Sequence, residues 1–86
     1  FRNGKPTEAE TLFRELAESA PNGRERFEAT YNGGNAALAA KRYDEAVRRY
    51  EEALRILPDD RATTDNLGLA KRLMQEERRE QQSRPQ

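Results

Sequence analysis

Carboxylates are the side chains with the most chemistry to offer in this sequence. Glu51 and Glu52 are adjacent, as are Glu76 and Glu77. Paired carboxylates can divide general-acid and general-base work between them. The chain has no histidine and no cysteine. It therefore lacks the commonest proton shuttle, the thiolate nucleophile and the main ligands of zinc sites. Both acidic pairs fall on faces expected to be solvated helix surface. Gly33-Gly34 lies inside a helical pattern and lacks the Lys-Ser/Thr that follows a phosphate-binding loop. Neither an enzyme nor a cofactor site is expected.

Electrostatics exclude two more classes. Sixteen basic residues balance sixteen acidic ones, which argues against capture of nucleic acid or an anionic membrane. Arg48-Arg49 share a face with acids, and Arg78-Arg79 are flanked by glutamates, so no uncompensated basic stripe forms. No run approaches the ~20 apolar residues of a membrane span, and no signal-peptide core is present. The compartment is left open. The chain opens on Phe1 rather than Met, which suggests a piece of a longer protein. At 86 residues with a mean hydropathy of -1.21, it forms one small domain at most.

The elements follow from periodicity and punctuation. Thr7 and Glu10 form a capping box, and Ala9, Leu12, Phe13, Leu16, Ala17 and Ala20 make one stripe. Asn22, with Glu25, caps a second helix expected over Arg24 to Ala40. Gly33 and Gly34 sit in its middle, which suggests another backbone passing close by. A third helix is expected after Lys41-Arg42, capped by Asp44 and running to about Leu57. Its outer face should pair Asp44 with Arg48, Glu45 with Arg49 and Glu51 with Arg55. Pro58-Asp59-Asp60 stops it and caps a fourth helix. After Met74 no apolar residue remains, so a polar Gln-rich tail over 76–86 is expected to fray or be disordered.

The chain repeats itself. Ala9, Phe13 and Pro21 recur as Ala46, Tyr50 and Pro58, and Asn32-Gly33-Gly34 recurs as Asn66-Leu67-Gly68. On Gly34, Ala46, Tyr50, Ala53 and Pro58 the chain resembles the tetratricopeptide repeat (TPR) family. Thr30, Gly33 and Ala37 depart from it, standing where the family pattern has Trp, Leu and Tyr. The final helix and Gln-rich tail also resemble the TPR proteins of bacterial Bat aerotolerance operons.

The resemblance implies an all-α, right-handed TPR solenoid of four helices, built as antiparallel pairs plus a C-terminal capping helix. It places a partial repeat over 1–22, a full repeat over 23–58 and the cap over 59–75. It implies a non-catalytic scaffold whose partner is a protein or peptide, held along the concave face. That face would carry Glu28, Tyr31, Asn32, Asn35 and Leu38, continued by Asn66, Leu69 and Arg72. Asn35 and Asn66, about a repeat apart, are similar to the asparagines that hold a peptide carboxylate in clamp-type members; Tyr31 stands where those have lysine. The alternative is a self-assembly module forming a homo-oligomer through Ala9 and Phe13. The double glycine offers a further notch for a partner side chain.

Overall fold

A computed structural model describes residues 22–84, and among them the chain is three α-helices with no strand. These are α1 (Gly23–Ala39), α2 (Tyr43–Ile56) and α3 (Arg61–Ser83). The helix expected within 7–20 lies outside the described residues. The described part therefore carries three of the four expected helices.

Local chemistry explains each boundary. The Glu25 amide donates to Asn22 Oδ1 at 2.8 Å, and Asn22 Nδ2 donates back to Glu25 Oε1 at 2.8 Å. This is the anticipated cap, with the return bond made to the Asn22 side chain. At the other end of α1, the Arg42 amide donates to Ala37 O (2.9 Å) and the Lys41 amide to Leu38 O (3.0 Å). These two bonds form a Schellman motif, and Lys41 holds its left-handed position at φ 63°.

The turn into α2 corrects the expected cap. Arg42, not Asp44, occupies the N-cap position and makes no side-chain capping bond. Asp44 and Glu45 instead fall in the first turn, where negative charge opposes the exposed amide dipoles. Of the anticipated ion pairs, Glu45–Arg49 forms, at 2.9 Å. Arg48 turns to Glu45 rather than Asp44, and Arg49 also reaches Glu52 at 3.6 Å. Burial of Glu45 works against its charge. The Arg48 hydrogen bond and the charges of Arg49, Arg48 and Arg42 outweigh that and hold the carboxyl below its ordinary value.

Asp60 caps α3, accepting from the Thr63 amide (3.0 Å) and from Thr63 Oγ1 (2.7 Å). The helix then continues to Ser83, beyond Glu76, where the polar tail was expected to begin. Every residue from Gln75 to Arg84 is exposed. Glu, Arg and Gln are good helix formers, and no glycine or proline interrupts them before Pro85.

The central helix is α2, which packs on α1 at one side and on α3 at the other. Ala37, Ala46, Tyr50 and Ala70 are fully buried in the core, with Tyr31, Leu38, Val47 and Leu67 against them. Three of those four buried residues are alanines, so the helices approach closely and Tyr50 fills most of the space left. Its ring lies on Gly34. A Cβ added there would fall 2.6 Å from Tyr50 Cε1, too close for any contact. The expected close neighbour of the glycine pair is thus, at Gly34, an aromatic ring and not a second backbone.

Candidate functional site

Tyr50 does more than fill space, because its hydroxyl starts a chain of hydrogen bonds. Tyr50 Oη donates to Asn35 Oδ1 at 2.5 Å. Asn66 Nδ2 donates to the same oxygen at 3.2 Å and to Tyr31 Oη at 3.2 Å. The four side chains come from all three helices. Ring contacts support the same cluster: Tyr31 and Tyr50 lie 6.0 Å apart, tilted by 49°, and Phe27 stacks on Tyr31 at 5.9 Å. Burial, then the neighbouring Tyr31 hydroxyl, push the Tyr50 phenol up to about 12, against a lowering by Asn66. It therefore stays protonated and able to donate through the neutral range.

Helical spacing brings these residues together. Tyr31 and Asn35 are one turn apart on α1 and share a face. Asn66 lies 31 residues after Asn35. Its equivalent by the internal repeat is Asn32, one turn earlier on α1. The bond from Asn66 to Asn35 is therefore diagonal. It ties α3 to α1 across a face where backbone packing is made mostly through α2.

Of the residues singled out from sequence, Tyr31, Asn35 and Asn66 meet in this cluster. Glu28 and Asn32 line a depression of about 470 Å³ together with Phe27, Tyr31, Asp60 and Ala62. Asp60, expected from sequence only as part of a cap, thus also borders this depression. Leu38 turns to the core. Leu69 is half-buried and Arg72 exposed on α3, and neither joins the hydrogen-bonded cluster. Tyr50 is the member that the sequence reading missed, since an aromatic on an apolar stripe reads as core. Glu51, Glu76 and Glu77 are exposed and Glu52 is half-buried on α2. Among the described residues no three metal-ligating side chains gather, and no helix is long and apolar enough to cross a membrane.

Comparison with known proteins agrees with this geometry. The searches of curated proteins and of solved structures return no significant match. A family model described as tetratricopeptide repeat matches residues 27–60. That span holds α1 from Phe27, the Lys41 turn, α2 and the Pro58 stop. Such repeats generally mediate protein–protein interactions and are typically non-enzymatic. Residues 27–60, a helix pair closed on Gly34, Ala46, Tyr50 and Pro58, are thus similar to a tetratricopeptide repeat.

Proposed function

We propose that this chain is a non-catalytic scaffold that holds a peptide or protein segment along the face shared by α1 and α3. The observation that carries the reading is the Asn35–Asn66 hydrogen bond. It brings amides from successive units to one half-exposed surface. Glu28 and Asn32 border it at one end, with Leu69 and Arg72 continuing it toward the other. Stacked with further repeats, such a surface would extend into a right-handed solenoid.

The experiment is selection from a display library of random short peptides, followed by affinity measurement. Glu28→Lys with Asn32→Ala and Arg72→Glu should weaken the selected peptides at least about tenfold, or about 1.4 kcal/mol. Glu51→Lys with Arg55→Glu, on the far side of α2, should leave affinity unchanged. Equal affinity in both variants would move the interface off this face, and failure to select any peptide would count against the module itself.

Homo-oligomerisation is the competing reading, because Leu69, Leu73 and Met74 stay partly exposed on α3. Sedimentation at several concentrations separates the two. A monomer throughout removes the self-assembly reading.

A further inference from the structure

The hydrogen-bond chain has a property that follows from donor and acceptor counting. A side-chain amide carries two N–H donors on one atom and an acceptor oxygen on the other. Asn66 Nδ2 spends both hydrogens, on Tyr31 and on Asn35. Asn35 Oδ1 receives two bonds, from Asn66 and Tyr50. What remains is Asn35 Nδ2, which only donates, and Asn66 Oδ1, which only accepts. Neither has a further protein partner among the described residues, and neither is sealed from solvent.

The complementarity does not depend on the sense of the chain. If both amides are turned over, Asn35 donates to Tyr50 and Asn66, and Tyr31 donates to Asn66. The free groups then become an Asn35 oxygen and an Asn66 N–H. Turning over one amide alone sets donor against donor or acceptor against acceptor between Asn35 and Asn66. In either permitted sense, the bonded pair of amides is left with one free donor and one free acceptor.

We infer that this face selects a peptide group over a carboxylate, with Tyr50 as the positioning residue that locks Asn35. A residue within an extended segment offers its own N–H and C=O on one edge, and the two together can satisfy both free groups. A C-terminal carboxylate offers only acceptors and leaves the accepting amide oxygen facing a negative charge. The occupant is therefore an internal segment of an extended partner chain rather than its terminus. This specificity rests on the proposed binding face, but its test is separate.

The test titrates the full ¹⁵N-labelled chain with N-acetylglycine N-methylamide and, at matched ionic strength, with sodium acetate. The side-chain amide resonances of Asn35 and Asn66 are followed. The expected result is saturable movement with the diamide, at a dissociation constant at least about fivefold below that for acetate, the lower end of the penalty for an unpaired polar group. In Tyr50→Phe, which keeps the ring on Gly34, that preference should fall to within about twofold. A loss of folding alone would collapse the amide dispersion across the whole map, which the same spectra report. Acetate binding as well as the diamide, or no movement with either, overturns the inference. A retained preference in Tyr50→Phe overturns the role of Tyr50. None of these results bears on whether selected peptides need Glu28, Asn32 and Arg72, so the broader reading stands or falls on its own variants.

Discussion

Gly34 and Gly68 hold corresponding positions in the internal repeat, yet their surroundings are opposite. The Tyr50 ring presses on Gly34, whereas a Cβ at Gly68 would meet nothing within 4 Å. Gly68→Ala should therefore stabilise the chain by about 0.5–1 kcal/mol through helix propensity alone. Gly34→Ala gains the same propensity but must displace a buried ring, so it should destabilise by about 1–3 kcal/mol. Urea unfolding of the two variants checks the opposed signs. Tyr50 gives a second prediction. Its phenol rises from 10.0 to about 12 in the folded chain. The protonated form is thus the one that folding favours. Its contribution is complete below pH 10 and lost as pH rises through about 12. The urea midpoint of the wild type should fall across that window, and more steeply than that of Tyr50→Phe. Equal slopes would show that the phenol plays no part.

At the scale of elements, the sequence is most legible where the chemistry is local. Asn22 and Asp60 cap their helices because an acceptor side chain next to the first free amides is a short-range arrangement. Pro58 ends α2 for the same kind of reason. Lys41 was not legible, since nothing in its side chain announces a left-handed backbone. It holds φ 63° because the two Schellman bonds and the packing of α2 back on α1 require it. Lys41→Gly should relieve that conformation and raise stability by about 1 kcal/mol. A neutral or destabilising result in thermal unfolding would mean that the Lys41 side chain makes a compensating contact. The cap expected at Asp44 fell two residues late, because the Schellman turn brings the chain directly from Arg42 into α2. The Tyr50–Asn35–Asn66 chain was only half visible. Its asparagines stood out by type. Their pairing spans 15 and 31 residues, and only the packed helices decide it.

At the scale of the molecule, one small domain solves two problems with the same side chains. Alanines and glycines at Gly34, Ala37, Ala46, Ala53 and Ala70 let the helices approach closely, and little large apolar surface is left to hold them. The polar cluster supplies the link between α1 and α3. It lies on the proposed binding face, so on that proposal stability and recognition would be coupled there. Glu28, Asn32 and Arg72 lie outside the cluster and can be changed without touching it. The most direct test of the account is a ¹H–¹⁵N map of the labelled chain bound to a library-selected peptide. The account predicts that the largest shifts fall on the α1 and α3 positions around Glu28, Asn32, Asn35, Asn66 and Arg72, with Glu51 and Arg55 on α2 unmoved. Largest shifts on α2, or on the exposed turns of α3 beyond Gln75, would contradict it.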